Sequence, residues 1–307
     1  MKKLLSLILA LTLCGCFALA DGLSADHLTV TYVTSPLNVP SIVEKENGIF
    51  GETLGIPVSY AEITSGADQT QALASGDVQL LYAVGGTSVI LSAANGADIK
   101  VLNMYSRAPG AFCLYSRDET LTTPESLRGK TIAGPAGTNL HELLAAYLAT
   151  ADMTVSDVNY VSMGIPEAKA ALDGGSADVA MLGGAAAYNA ARLGYHLVCD
   201  GEGYIQAIIA VAVSEEYANA HPDVIEKILE AQQEIMDTIG ADQDAAFAVV
   251  ARYLDLDVEA VREMEAVYDF SLDITEADRE GFQKTADFLY ASGMIDEPFD
   301  ASALFFD

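Results

Sequence analysis

The sequence predicts an α/β protein of two similar lobes, each a mostly parallel sheet flanked by helices, with a hinge between them. One unit occurs twice. Ala72-Leu73, Gly76-Asp77-Val78, Leu81, Gly85-Gly86 and Gly96 return as Ala171-Leu172, Gly175, Asp178-Val179, Leu182, Gly183-Gly184 and Gly194. Each copy reads as helix, tight turn, buried strand, Gly-Gly loop, helix and turn. Strand-like β-branched runs also alternate with short helical segments as far as Val213. That alternation implies parallel pairing through right-handed crossovers. From Ser214 onward the pattern is helical throughout.

In chain order, Leu28–Val33 alternates β-branched and aromatic residues and is the first strand. Ser35-Pro36-Leu37-Asn38-Val39-Pro40 breaks it, and Ser41–Phe50 is a helix stopped near Gly48 and Gly51. Val58–Ile63 is a second strand, and Asp68 is placed to cap a helix over Gln69–Ser75. Val78–Val84 is a near-continuous apolar run, the mark of a strand covered on both faces. Ile99–Tyr105 and Ala111–Ser116 follow as strands. A second series comprises the strand Thr131–Ala133, the helix Leu140–Ala149, the strand Asn159–Val161, a helix from Gly164-Ile165-Pro166-Glu167, and strands Val179–Leu182 and His196–Cys199. Ile205–Val213 is long enough to pass between domains. The helical tail carries caps at Ser214, His221-Pro222-Asp223, Asp255 and Thr275, and Ile225, Ile228 and Leu229 share a face expected to pack on a core. No linker is low in complexity, so the crossings must be short, near Arg107–Phe112 and Gly203–Ala207. The first lobe is then discontinuous, residues 27–110 plus 208–307, and the second is residues 111–207.

The 307 residues carry Lys+Arg 15 against Asp+Glu 44, a formal charge of -29. Such a balance argues against nucleic acid and anionic lipid as partners, since both require basic surface. Residues 1–20 form a leader: Met1-Lys2-Lys3 is a basic n-region and Leu4–Leu13 an apolar stretch too short to span a bilayer. Leu13-Cys14-Gly15-Cys16 resembles a bacterial lipobox that would leave Cys16 lipidated; Ala18-Leu19-Ala20 before Asp21 is the competing cleavage site. The lipobox is the more specific signal, although Cys14 is unusual at its position. Either route places the mature protein outside the cytoplasmic membrane. Cys113 and Cys199 remain in the body, near the lobe junction, as a disulfide or as two buried thiols.

The order and spacing of several segments resemble the extracytoplasmic solute-binding proteins of ABC importers. These are the lipobox, Ser35-Pro36-Leu37, Ala72-Leu73 with Gly76-Asp77, Leu127-Arg128-Gly129-Lys130-Thr131-Ile132, and Val213-Ser214-Glu215-Glu216-Tyr217 with His221-Pro222-Asp223. The branch that looks most similar is that of nitrate/sulfonate/taurine and thiamine-precursor receptors, over about residues 27–292. The resemblance implies a type II periplasmic-binding-protein fold, capture of a small anionic or polar organic solute between hinged lobes, and delivery to a membrane permease. No cofactor or metal is expected, and the receptor is expected to act as a monomer.

Helix N-termini preceded by glycine present free N–H groups and the positive end of the helix dipole. Gly85-Gly86-Thr87-Ser88, Gly134-Pro135-Ala136-Gly137-Thr138-Asn139 and Gly183-Gly184-Ala185 are therefore candidate ligand loops. The alternative is that their glycines only satisfy turn geometry. Ser35, Leu37 and Asn38 in the first βα loop, and Ser65 and Gly66 after the second strand, face the same crevice in this topology. Of Tyr32, Tyr82, Tyr105 and Tyr204, the last sits beside a crossing and is the one placed to stack on ligand; Tyr32 and Tyr82 read as core. Arg107 is the basic residue worth naming: in the cleft it would favour an anion, on the surface it is one more ion pair.

Catalysis finds little support. His27, His141, His196 and His221 lack ligand spacing or a paired nucleophile, and Asp77 and Asp178 sit at turns where they act as caps. Pyrimidine synthases of the same fold resemble enzymes with a Cys-rich active-site run, which this chain lacks. A ligand-binding sensory domain serving a signalling partner is the other alternative.

Overall fold

A computed structural model describes residues 22–306; the stretch read from sequence as a leader, with Cys16 and both candidate cleavage sites, lies outside them. The first elements are β1 (Leu28–Tyr32), α1 (Val39–Asn47), α2 (Ile49–Leu54), β2 (Val58–Glu62) and α3 (Gly66–Ser75). Gly48, at φ +69°, splits what the sequence reads as one helix into α1 and α2. The cap of α3 is Ser65, whose hydroxyl accepts the Asp68 N–H, and not Asp68 itself. The first repeat copy supplies β3 (Leu81–Gly85) and α4 (Gly86–Ala94), followed by β4 (Lys100–Arg107) and β5 (Phe112–Ser116). Then come β6 (Thr131–Gly134), α5 (Asn139–Ala149), β7 (Asn159–Ser162) and α6 (Ile165–Gly174). The second copy ends in β8 (Val179–Gly183) and α7 (Gly184–Arg192), before β9 (His196–Asp200) and β10 (Ile208–Val213). The tail is α8 (Glu215–Ala220), α9 (Pro222–Ala241), α10 (Gln243–Leu254), α11 (Val258–Glu265) and α12 (Glu276–Ala291). Asp255 closes α10 in the left-handed region, and it is Asp257 that caps α11.

One sheet runs β7-β6-β8-β5-β9; β3-β10-β4 and β1-β2 form the others. A parallel bridge between Val30 and Leu80, with the Thr31 N–H donating to the Leu80 carbonyl at 3.0 Å, joins β1 to the approach of β3. The order there is thus β2-β1-β3-β10-β4, the same as in the five-stranded sheet. β3 and β8, the strands of the repeated sequence, hold equivalent places. In each set one strand opposes the rest: β10 is antiparallel to β3 and β4, and β5 to β8 and β9. The other strands of each set run one way, so the sheets are mostly parallel as the sequence pattern predicts, with the single reversed strand as the addition. The opposed strands arrive through short crossings, Ala108–Ala111 and Gly201–Ala207, with no crossover helix to restore direction.

β10 reads Ile-Ile-Ala-Val-Ala-Val, and all six residues are buried. Ile208, Ala210 and Ala212 pack with Leu81, Val84, Phe282 and Leu289; Ile209, Val211 and Val213 face the opposite core with Ile228 and Phe247. A strand covered on both faces needs no polar alternation. In α9 the buried stripe is Val224, Ile228, Ala231, Ile235 and Ile239; Leu229, expected to share it, is exposed. The two thiols are free. Cys199 lies across from Leu114, so Cys113 and Cys199 point to opposite faces of the sheet and pack into different clusters.

Glu44 is buried on α1, where its Oε1 accepts the Tyr60 hydroxyl at 2.6 Å and the Phe50 N–H at 3.2 Å. Burial pushes its pKa up to about 7. A carboxyl whose folded pKa exceeds its unfolded value stabilises fully below the unfolded pKa, and that stability is lost as pH rises through the folded one. Glu44→Gln is therefore expected to flatten stability between about pH 4.5 and pH 7, removing a decline on the order of 3 kcal/mol. Denaturant unfolding across that range is the check; a decline identical in both proteins would contradict it.

Candidate functional site

Loops at the carboxyl ends of β1, β2, β3, β6 and β7 enclose a cavity of about 540 Å³. Ligand crevices of open α/β sheets lie at this position. A depression of about 630 Å³ beside the N-terminal arm, lined by residues such as Ser24, His27, Tyr217 and His221, is larger. It is more open to solvent and touches no strand carboxyl end, so the enclosed cavity is the candidate site.

The cavity is built from both strand sets. Ser35, Pro36 and Asn38 come from the β1–α1 loop; Glu62, Thr64, Ser65, Gly66, Asp68 and Gln69 from the β2–α3 turn; Gly85 and Ser88 from the β3–α4 turn. Across from them stand Pro135, Ala136, Thr138 and Asn139 ahead of and within α5, and Ser162, Met163, Gly164, Ile165 and Pro166 ahead of and within α6. No side chain caps α4, α5 or α6, so their first-turn N–H groups are left without side-chain acceptors. Those termini and the Ser65 hydroxyl, which only accepts within the protein, make one part of the wall a donor surface, while the Ser88 and Thr138 hydroxyls donate to the Gly137 and Pro135 carbonyls at 2.7 and 3.1 Å. Glu62 and Asp68 are the charged residues of the lining, and none of the lining residues is Lys, Arg or His. Gln69, buried, donates from Nε2 to the Ile63 carbonyl at 2.9 Å, while its Oε1 has no partner.

Ala83 stands in the wall at φ +78°, a left-handed conformation that a residue with a Cβ adopts at a cost of roughly 1–2 kcal/mol. It is the extra residue of a bulge: Val84 faces Ala210 and Tyr82 faces Val211. The bulge turns the end of β3 so that Gly85 meets the cavity.

Of the residues singled out from sequence, Ser35, Asn38, Ser65, Gly66, Gly85, Ser88, Thr138 and Asn139 lie together in this wall. The others lie elsewhere. Leu37 is fully buried, its N–H donating to the Tyr268 hydroxyl at 3.2 Å. Gly86 packs against the Ile208 carbonyl and the Phe282 ring. Thr87 is buried against Asn139 and Glu142. The Gly137 carbonyl accepts the Ser88 hydroxyl at 2.7 Å, and its N–H donates to His141 Nδ1 at 3.2 Å. His141 is thereby held neutral, stacked on Tyr160 with centroids 5.0 Å apart, and burial lowers its pKa. Gly183 and Gly184 press on Pro36 and Leu37, and Tyr204 is exposed, edge-on to Tyr147. Arg107 pairs with Asp278, outside the cavity. Asp77 accepts the Ser75 hydroxyl within its own turn at 2.7 Å, whereas the Asp178 carboxylate reaches the neighbouring strand and accepts the Thr131 N–H at the start of β6 at 2.8 Å.

Sequence reasoning missed Glu62, Thr64, Gln69 and the Ser162–Pro166 turn as cavity residues. The repeat itself holds the signal for the last: the spacing that carries Gly85 to Gly183, and Gly96 to Gly194, also carries Gly66 to Gly164.

Comparison with known proteins agrees with this architecture. A taurine-binding periplasmic protein of Escherichia coli (strain K12) is 30% identical over 205 residues, 66% of this chain and 62% of that protein. A Brachyspira hyodysenteriae (strain ATCC 49526 / WA1) protein named for ABC-transporter periplasmic binding is 28% identical over 80% of this chain and 77% of its own length. Among solved structures, the alkanesulfonate-binding protein SsuA from Xanthomonas axonopodis pv. citri superposes with a TM-score of 0.83 at 20% identity, covering 92% of this chain and 98% of that one. The desulfurization enzyme DSZB superposes at 0.67 and 16% identity, covering 92% and 96%. These likenesses identify the periplasmic-binding-protein fold, as the two matching strand orders do. Residues 36–246 match the family described as NMT1/THI5 like, and the chain is a member of it.

Proposed function

We propose that this chain is the solute receptor of an ABC-type importer. It works outside the cytoplasmic membrane, tethered through a lipid on Cys16, and hands its solute to a membrane permease. Residues 27–110 plus 208–307 form one lobe and residues 111–207 the other; they close on the solute about the paired crossings Ala108–Ala111 and Gly201–Ala207. The observation that carries this reading is the cavity itself, walled by loops of both strand sets, with donor-rich helix ends and no Lys, Arg or His in its lining. No cysteine or histidine stands there to act as nucleophile or base, which favours retention over turnover. Among the described residues no helix is long and apolar enough to cross a membrane.

The wall also narrows the solute. Helix N-termini, with the Ser65 hydroxyl beside them, suit a compact anionic head such as a sulfonate. Glu62 and Asp68 disfavour a bare anion and suit a nitrogen-bearing end. A small zwitterion satisfies both, and the taurine-binding relative makes taurine the first probe.

Ligand binding to the folded state raises stability by RT ln(1 + [L]/Kd), about 2.7 kcal/mol at a hundredfold excess over Kd. Thermal unfolding with taurine, ethanesulfonate, nitrate, aromatic acids and aminopyrimidines is expected to single out a nitrogen-bearing solute, with taurine above ethanesulfonate. The bound solute should be recovered unchanged. No shift from any of these, or conversion of the solute, would sink the receptor reading.

A further inference from the structure

Glu142 is a carboxyl that the binding reading does not use. It stands in the first turn of α5, is 4% exposed, and is wedged between α4 and α12. The Thr285 hydroxyl of α12 donates to its Oε1 at 3.1 Å, and the Thr87 hydroxyl of α4 lies in short contact with its Oε2. Thr87 Oγ1 is also 2.7 Å from Asn139 Oδ1, and Asn139 Nδ2 reaches the Ile208 carbonyl at 3.4 Å. Asn139 belongs to the cavity wall.

Counting hydrogens decides the state of this network. A threonine hydroxyl carries one. Thr87 faces two acceptor oxygens, so with an ionised Glu142 one of the two contacts brings oxygen against oxygen with no proton between them. Turning the Asn139 amide removes that conflict only by setting Oδ1 against the Ile208 carbonyl. A proton on Glu142 Oε2 satisfies every contact at once. The chain then runs from Glu142 to Thr87, from Thr87 to Asn139, and from Asn139 to the Ile208 carbonyl.

We propose that Glu142 is a positioning residue that enters this arrangement as a neutral acid, its proton fixing the Asn139 amide at the cavity wall and clasping α5 to α4 and α12. The elements packed around it offer only neutral groups: Thr87 from α4, Thr285 from α12, Asn139 from α5 and the Ile208 carbonyl from β10. Among the described residues no Lys, Arg, His, Asp or Glu forms a hydrogen bond or ion pair with it. Burial without a cation drives its pKa above the usual carboxylate range, in the same direction. That the clasp also holds the lobes closed rests on the two-lobe reading above, because α5 lies in one lobe and α4 and α12 in the other.

A raised folded pKa means that the clasp is complete below the unfolded pKa and weakens as pH rises through the folded one. Glu142→Gln keeps a donor toward Thr87 and an acceptor toward Thr285 but cannot ionise. The test follows infrared absorption, melting temperature and small-angle scattering of the native protein and this variant from about pH 5 to pH 8, where free carboxyls are ionised. The expected result is a protonated-carboxyl band lost in Glu142→Gln, and a native melting temperature that falls relative to the variant as pH rises. The native radius of gyration should grow over the same range while that of the variant stays constant. Should Glu142→Gln not fold, Thr285→Val removes one donor to the same carboxyl and must move one carboxyl titration. Native and variant curves that run parallel, or no carboxyl titration moved by Thr285→Val, would overturn the proposal. A stability difference that titrates while scattering stays flat overturns the clasp between lobes and leaves solute capture, tested separately by the ligand screen, intact.

Discussion

Gly184→Ala is expected to cost about 3 kcal/mol and to leave the molecule measurably wider, although the change adds one methyl group. Two effects combine. Gly184 has φ +55°, where a Cβ costs roughly 1–2 kcal/mol. That Cβ would also stand 2.8 Å from Leu37 N and from the Pro36 carbonyl carbon. Both are backbone atoms of a loop from the other strand set and cannot swing aside as a side-chain tip does, so the overlap adds about 1–3 kcal/mol or forces the loops apart. Gly194 supplies the control. It follows the other end of the same helix, α7, with φ +75° and open space around the same methyl, so Gly194→Ala isolates the backbone cost at about 1 kcal/mol. Denaturant unfolding of both variants, with scattering for dimensions, checks the comparison. Equal losses would show that the approach of Gly184 to Pro36–Leu37 carries no weight.

The Gly-Gly pairs show how far the sequence could be read. The repeat located both βα turns, because a buried strand ending in two glycines is a local pattern that survives duplication. It assigned both pairs one role, and there local pattern runs out. Gly85 meets the cavity because the Ala83 bulge turns the end of β3, whereas Gly183 and Gly184 are spent on close approach to Pro36 and Leu37. Which neighbour a loop meets depends on the placement of two sheets, and no residue in the loop encodes it. The alternation of strands and helices likewise gave element positions but not the sense of β5 and β10, which depends on where the crossings enter each sheet. Glu62 and Gln69 escaped notice because a carboxylate after a strand and an amide in a first turn are common surface features. They acquire meaning only against Ser162–Pro166 across the cavity. Glu142 is the same case: one residue of an Ala- and Leu-rich helix, made distinctive by Thr87 and Thr285 from far along the chain.

Loss of Arg107 should be as costly as any change outside the cavity, with Arg107→Leu expected to destabilise by about 3–5 kcal/mol. The guanidinium, at the end of β4, contacts Asp278 Oδ2 at 2.6 Å and the carbonyls of Ser271 and Asp273 at 2.8 and 2.7 Å, with Asp269 at 3.6 Å. It thereby stitches the segment before α12 onto the sheet. Asp278 is 3% exposed and also receives the Thr275 N–H and hydroxyl. Burial alone would raise that carboxyl's pKa; Arg107 and Thr275 outweigh it and hold the pKa below the usual range. Its stabilisation is therefore present above the unfolded pKa and lost as pH falls through the folded one. With Arg107 gone, a nearly buried charge is left without its partner, and acid unfolding should begin at higher pH. Arg107→Lys should recover little, since a point charge cannot span a carboxylate and two carbonyls as the planar fork does. Asp278→Asn added to Arg107→Leu should restore part of the loss by removing the stranded charge. Denaturant and acid titrations of the three variants test this; a loss below about 1 kcal/mol for Arg107→Leu would place the pair among ordinary surface bridges. Solute affinity per folded molecule should be unchanged, because Arg107 does not line the cavity. On the proposed reading the charge of the solute is set by the helix ends and by Glu62 and Asp68, and this guanidinium has no part in that choice.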